Sequence, residues 1–310
     1  MRVLRSIPEL AEIPGPIFLA IGVFDGVHRG HQAVISTAVR HAAEAGGTAV
    51  VVTFDPHPAK ILRPEKSPRL LTATQHKIAL IRALGVSHLL VLQFDRQLAS
   101  TPPADFVRQL VAAAQPLREI CVGQEWCFGK NRAGNLALLK ELGAELGFNV
   151  TGVKPVTSEG TIVSSTAIRS AIKAGDFATA AKMLGRDYTI LGTVESGNRL
   201  GRSIGFATAN LSAHSEQFPP NGVYAAEGSL DGQTFQGVVN LGVRPTIAEG
   251  SAQRVLEFHL FDFDRDLYGE DIELRFLNYL RPERKFDDLA ALRKQIERDV
   301  AAARGIFAGR

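Results

Sequence analysis

The sequence predicts two domains, a doubly wound α/β domain followed by an antiparallel β domain that ends in a helix. Three observations carry this. At 310 residues the chain is longer than one hydrophobic core usually organises. Its first half alternates apolar runs with amphipathic stretches of helical length. Beyond about Gly185 the texture changes to short, regularly spaced runs rich in β-branched residues.

The elements follow in order. Residues 17–23 read as a buried strand, and a glycine-containing loop leads to a helix over about 31–45 that stops at Gly46-Gly47. Residues 48–54 form a second strand, TAVVVTF, of high β propensity. Thr72 with Gln75 fits a capping box ahead of HKIALIRAL, and Gly85 sits where a glycine ends a helix. Strands at 88–94, 119–122 and 149–153 alternate with helices at about 103–114 and 136–146, the pattern of βαβ units on a parallel sheet. The later strands lie at 189–194, 223–229, 234–239, 255–261 and 272–276, which suits a barrel or a sandwich. Asp231-Gly232 between two of them is the dipeptide a type I′ hairpin prefers. Over 287–303, Leu289, Leu292, Ile296 and Val300 recur at helical spacing. The division is expected near 184–188, giving domains 1–184 and 185–310.

Composition narrows the function. Hydrophobic residues make up 45% and charged residues 22%, as in an ordinary globular protein. With 35 basic and 32 acidic side chains the net charge is +3, too mild to indicate nucleic acid or a membrane surface as partner. Cys121 and Cys127 make no CxxC pair and cannot supply a zinc site alone, and they fit free thiols in a reducing compartment. There is no apolar core of a signal peptide and no run of about 18 apolar residues, so the cytoplasm is the expected location. Oligomeric state is not legible.

Two constellations carry chemistry. The loop after the first strand reads Gly22-Val23-Phe24-Asp25-Gly26-Val27-His28-Arg29-Gly30-His31. Its glycines allow close backbone approach, and its HxGH pair stands at a helix start, where free N–H groups and the dipole favour phosphate. Imidazoles beside that point suit the charge of departing pyrophosphate. Ser164-Ser165-Thr166-Ala167-Ile168-Arg169 offers hydroxyls at another helix start with an arginine one turn later, a triphosphate cradle or, for Ser164 or Ser165, a plain N-cap. In order, the two motifs resemble the adenylyl- and cytidylyltransferase superfamily. There the acceptor phosphate attacks the α-phosphorus directly, with no covalent enzyme intermediate.

The second half carries Gly205-Phe206-Ala207-Thr208-Ala209-Asn210-Leu211, Pro220-Asn221-Gly222-Val223-Tyr224, GVVNLGVRPT over 237–246, and Leu256-Glu257-Phe258-His259-Leu260. With GVFDGVHRGH, TFDPHP over 53–58 and SSTAIR, these resemble the prokaryotic bifunctional riboflavin kinase/FAD synthetase family from about residue 15 onward. The resemblance implies a Rossmann-like nucleotidyltransferase domain with a parallel sheet, then an antiparallel β-barrel riboflavin kinase domain with a terminal helix. It implies riboflavin, FMN, FAD and ATP as substrates or products and Mg²⁺ with the ATP. Thr208 and Asn210 would hold Mg-ATP, and Glu257 would be the base on the riboflavin 5′-hydroxyl. Gly22, Phe24, Asp25, Gly30, Ser164, Ser165, Thr166, Arg169 and Gly205 would meet nucleotide, with His28 and His31 catalytic. Phe54, Pro56, Phe128, Asn240 and Arg244 would meet flavin.

Residue chemistry agrees with part of this. A hydroxyl and an amide oxygen are hard donors suited to magnesium. On the strand VLEFHLF, Glu257 points away from Leu256, Phe258 and Leu260, which also fits a solvated glutamate. His57 and His259 also fit structural histidines, Phe54 and Phe128 also fit core positions, and Arg281, Arg284 and Lys285 read as a solvated turn. Two departures from the family pattern stand out. Ala207 replaces a proline, loosening the loop by about 0.4–1 kcal/mol and predicting a weaker kinase. Residues 124–127, Gln-Glu-Trp-Cys, differ from the usual acidic-or-amide, phenylalanine and polar pattern before Phe128-Gly129, which bears on adenylylation. A kinase without adenylylation, a flavin-binding regulator and a cytidylyltransferase are the alternatives.

Overall fold

The structure, a computed structural model, describes residues 1–195, 206, 208–214, 217–245, 252–263 and 265–309. Gly205, Ala207 and Thr246 lie outside them. By internal contacts the chain forms two units, one of residues 1–167 and 183–185, the other of 168–182 and 186–310.

In the first unit β1 (Arg2–Leu4) precedes β2 (Ile17–Ile21), α1 (Arg29–Glu44), β3 (Thr48–Asp55), α2 (Pro58–Leu62), α3 (Thr74–Ala83), β4 (His88–Gln93), α4 (Arg96–Ser100), α5 (Pro103–Ala113), β5 (Leu117–Gly123), α6 (Leu136–Leu146) and β6 (Asn149–Val153). A two-stranded ribbon, β7 (Thr157–Ser158) and β8 (Thr161–Ile162), leads into α7 (Ser165–Ala174). The six-stranded sheet has the order β1-β4-β3-β2-β5-β6, and every pair in it is parallel. Successive side chains divide between two cores. Leu19, Val52, Leu90 and Ile120 join Phe106 and Leu110 of α5 and Leu139 of α6 on one face. Ala20, Val51, Val91 and Cys121 join Val34 and Ile35 of α1 and Ile81 of α3 on the other. Both faces are therefore dry, the condition a parallel sheet requires.

The chain runs outward from β2 through β3 to β4, then returns to β5 on the other side of β2. The crevice at the carboxyl ends of β2 and β5 is thus a topological switch point, where open α/β sheets bind ligands. The loop after β2 and the loop after β5 both open there.

The second unit holds α8 (Phe177–Leu184) as far as Lys182, β9 (Thr189–Glu195), β10 (Ala209–Ala213), β11 (Gly222–Leu230), β12 (Gln233–Pro245), β13 (Ala252–Leu260), β14 (Asp271–Arg281) and α9 (Leu289–Ala308). The strands close an antiparallel barrel in the order β10-β13-β12-β11-β14-β9, with β9 paired to β10, so the barrel alternative is the one realised. Asp231 and Gly232, both at positive φ (48° and 77°), join β11 to β12 as the two-residue I′ turn expected. The interior takes Tyr224, Val239, Leu256, Phe258 and Leu274. Val223, Ala225 and Val238 face outward and are covered by Ala303, Val300 and Phe307 of α9.

Two sequence expectations are corrected. Thr72 does not cap α3: the N-cap is Ala73, without a side-chain bond, because Thr72 is drawn into a tertiary contact with the loop after β2. Arg281 is not a solvated turn residue. Its Nε lies 3.0 Å from both carboxylate oxygens of buried Asp299, and its guanidinium fixes α9 to the end of β14. Arg284, in contrast, is exposed and lies over the Phe286 ring.

Candidate active sites

The loop between β2 and α1 departs from ordinary backbone geometry. Phe24 (φ 51°), Gly26 (φ 86°) and Val27 (φ 41°) are all left-handed. Only Gly26 does this freely, whereas the β-branched Val27 and the bulky Phe24 are strained by about 1–3 kcal/mol each. The surroundings hold them there. Asp25 Oδ1 accepts from the backbone N–H of Leu71 (2.9 Å) and Thr72 (3.1 Å), and Thr72 Oγ1 accepts from Gly26 N–H at 3.0 Å. Beneath the loop, Lys77 Nζ donates to Val23 O (3.1 Å), Thr53 Oγ1 (3.3 Å) and Phe54 O (3.3 Å).

This contorted path delivers His28 as the N-cap of α1, its Nδ1 accepting from His31 N–H at 3.3 Å. A neutral ring that accepts at Nδ1 carries its proton on Nε2, so His28 presents a donor there. The rings of His28 and His31 stack with centroids 3.5 Å apart. Gly30 leaves room for this arrangement, since a Cβ there would stand 3.1 Å from the His28 ring and push it by a few tenths of an ångström. His31 Nδ1 is buried and meets no hydrogen-bond partner among the described residues. Burial, then the neighbouring His28 and Lys77, hold the His31 pKa well below its ordinary value.

The second motif meets the first. Ser164 caps α7 by accepting from Ala167 N–H (3.2 Å), so its capping alternative is realised. Ser165 Oγ donates to Asp25 O at 2.9 Å, bringing the N-terminus of α7 against the loop that leads into α1. Thr166 is exposed, and Arg169 follows Ser165 by one turn of α7. Two helix N-termini thus converge at the switch point, with imidazoles and hydroxyls between them, which is an anion site in chemical character.

Other candidates fall as follows. Gly22 follows β2 and lies beside the Phe24 ring, which a Cβ there would strike at 2.7 Å. Pro56 follows β3, and His57 caps α2 through Nδ1 and Ala59 N–H (3.1 Å). Phe54 and Phe128 are both buried in the sheet core, Phe54 edge-on to Phe94 and Phe128 stacked on Trp126 at 4.4 Å. In the divergent segment Trp126 therefore packs on the core, Glu125 is exposed and Cys127 is half-buried.

In the barrel unit strand register builds the second site. Asn210 on β10 lies directly opposite Glu257 on β13, and Glu257 lies directly opposite Asn240 on β12. Directly opposed residues share a face, so the three form one row on the outer surface of the barrel while Leu256 and Phe258 fill the interior. Asn210 Oδ1 is buried and meets no donor among the described residues. Thr208, two residues earlier, is exposed. An amide oxygen awaiting a positive partner, with a hydroxyl and a carboxylate nearby, fits a hard divalent cation. His259 lies edge-on to Phe206 with centroids 5.2 Å apart, and Arg244 stands opposite Gln253 near the end of β12.

Sequence reading missed Thr53, Thr72 and Lys77. Lys77 shares a face of α3 with Ile81, four residues on, and a lysine on the apolar face of a helix was the available signal.

Known proteins are similar over the same regions. Residues 11–167 match the FAD synthetase family and residues 184–307 the riboflavin kinase family. The bifunctional riboflavin kinase/FMN adenylyltransferase of Pseudomonas fluorescens is 38% identical over 308 residues, covering 99% of this chain and 98% of that protein. That of Escherichia coli K12 is 35% identical over 309 residues, with 99% and 98% covered. A crystal structure from Streptococcus pneumoniae, described as a macrolide-efflux protein, is 29% identical, covers 98% of this chain and 99% of its own, and has a TM-score of 0.82. Among the described residues of the present chain no helix is long and apolar enough to cross a membrane. With both matches in order along one chain and near-complete coverage of these relatives, the chain belongs to the bifunctional riboflavin kinase/FMN adenylyltransferase family.

Proposed function

We infer that the chain makes FAD from riboflavin in two ATP-dependent steps, residues 185–310 phosphorylating riboflavin to FMN and residues 1–184 adenylylating FMN. The observation that supports this most is the pairing in one chain of an anion site at convergent helix N-termini with an Asn-Glu-Asn row on a barrel. The substrates and products are riboflavin, ATP, FMN and FAD.

In the kinase step Glu257 accepts the proton of the riboflavin 5′-hydroxyl as that oxygen attacks the γ-phosphorus of ATP, and ADP leaves. Thr208 and Asn210 would hold Mg²⁺, which would neutralise phosphate charge. Gly205 is assigned to the nucleotide from its motif, and Asn240 and Arg244 to the flavin. In the adenylylation step a phosphate oxygen of FMN attacks the α-phosphorus of ATP, the bond to the β-phosphate breaks, and pyrophosphate leaves. No side chain becomes covalently attached. His28, through its Nε2–H, and His31 donate to phosphate oxygens whose charge grows in the transition state. Gly22, Phe24, Asp25 and Gly30 shape the floor of the nucleotide site. Ser164, Ser165, Thr166 and Arg169 bracket the triphosphate, and Phe54, Pro56 and Phe128 border the flavin. Asp25 acts through its backbone, since its carboxylate is already committed to Leu71 and Thr72. The cytoplasm, where riboflavin and ATP meet, is the proposed location.

The test is to incubate the protein with riboflavin and Mg-ATP and separate the flavins by chromatography. FMN that appears and then converts to FAD is the expected course. FMN that accumulates without FAD refutes the adenylylation step, and no product refutes both.

A further inference from the structure

Lys77 lies outside both constellations. Its side chain is 5% exposed, yet it points from α3 into the base of the loop that carries His28. The three oxygens around Nζ match the three N–H donors of an ammonium, and two of them are main-chain carbonyls that can only accept. Val23 O lies just past β2 and Phe54 O on β3, so one group clips together the carboxyl ends of these neighbouring strands, beside the switch point between β2 and β5. Thr53 Oγ1 completes the clip by donating to Val23 O at 3.0 Å. Asp25 and Asp55 stand near enough to oppose electrostatically the burial of this cation. Asp55 Oδ1 also accepts from Thr74 Oγ1 at 2.6 Å, which ties β3 to the start of α3.

The residue that follows Val23 is the first of the strained positions, and the strained segment ends one residue before His28. A left-handed Phe24 and Val27 persist only where the surroundings over-determine them. From above, Thr72 and the carboxylate of Asp25 provide this restraint, and from below, Lys77.

We propose that Lys77 is a positioning residue of the adenylyl-transfer site, its ammonium clipping Val23, Thr53 and Phe54 so that the loop presents His28 and His31 to the transferring phosphate. The inference rests on the adenylyltransferase reading of that site. Lys77 touches no reacting atom. It acts by holding the imidazoles where charge develops, so its loss falls on kcat more than on KM.

The experiment compares the full-length chain with Lys77→Met, which keeps the length and removes the donors, and Thr53→Val, which removes one arm of the clip. FAD formation from FMN and ATP and FMN formation from riboflavin are measured on the same preparations, so the kinase activity serves as an internal control. Lys77→Met lowers kcat for FAD formation about 10- to 100-fold. KM for FMN and ATP stays within about threefold, and FMN formation is unchanged. Thr53→Val shifts the same parameter in the same direction by less. Unfolding followed by the fluorescence of Trp126, the single tryptophan, reports on the first unit. If Lys77→Met has lost its cooperative transition, Thr53→Val decides. A folded Lys77→Met that keeps kcat within about twofold overturns the proposal. So does parallel loss of both activities, or a full kcat in Thr53→Val when the lysine variant does not fold. An unaltered chain that forms no FAD overturns the adenylyltransferase reading itself, and the inference with it.

Discussion

Ser165 Oγ donates to the carbonyl oxygen of Asp25 at 2.9 Å, joining two segments 140 residues apart. This bond makes one site of two motifs, because Asp25 precedes the HxGH pair and Ser165 begins α7. Ser165→Ala removes it together with the hydroxyl proposed above to meet the triphosphate. The expected loss is about 10- to 100-fold in kcat/KM for FAD formation, the value of a hydrogen bond involving a charged group, with FMN formation unaffected. Steady-state rates of both reactions check this.

The lowered pKa of His31 predicts a pH dependence of stability. Burial is the main cause, and His28 and Lys77 add to it. In the unfolded chain the imidazole takes up its proton as pH falls through about its ordinary 6.5, while in the folded protein it resists. The unfolded state then binds more protons, so the stability associated with neutral His31 is fully present above that pH and declines below it. Urea unfolding followed by Trp126 emission shows the first unit losing stability between about pH 6.5 and 5. His31→Gln flattens that slope.

Arg281→Met leaves the Asp299 carboxyl buried without its guanidinium, although Gln295 Nε2 still donates at 2.8 Å. Removing one partner of a buried pair costs about 3–5 kcal/mol. The pair fixes α9 to the barrel, so riboflavin kinase activity becomes heat-sensitive before FAD formation does. Residual activities after graded heating measure the difference.

The two thiols separate by environment. Cys121 is fully buried on β5, and burial, with Glu119 beside it, pushes its thiol well above the ordinary range. Glu119 Oε2 also lies 2.7 Å from His41 Nδ1, so Cys121 belongs to a packed polar cluster. Cys127 is half-buried in the loop after β5. A thiol reagent at mildly alkaline pH modifies Cys127 in the native protein, and Cys121 only after denaturation. Mass spectrometry of the labelled peptides distinguishes them.

Much of this architecture is legible in the sequence because its signals are local. Near-continuous apolar runs over 48–54 and 88–94 mark strands of a doubly covered sheet, and Asp231-Gly232 specifies its turn through positive φ. HxGH and Ser164-Ser165 announce helix N-termini. What escapes is the set of contacts made across the chain. Thr72 has the look of a helix cap, yet its hydroxyl accepts from Gly26, 46 residues away. Lys77 shares the apolar face of α3 with Ile81, but only tertiary structure brings its ammonium to the oxygens of Val23, Thr53 and Phe54. Arg281 reads as solvated until α9 brings Asp299 to it. The alignment of Asn210, Glu257 and Asn240 depends on strand register, which spacing in a single chain does not specify.

The division of labour between the two sites is tested most directly by reciprocal inactivation. His28→Ala and Glu257→Ala are each assayed for FMN formation from riboflavin and for FAD formation from supplied FMN, with folding of both verified. His28→Ala is expected to lose FAD formation and keep FMN formation, and Glu257→Ala to do the reverse. Loss of both activities from either single substitution in a folded protein would contradict two separate sites.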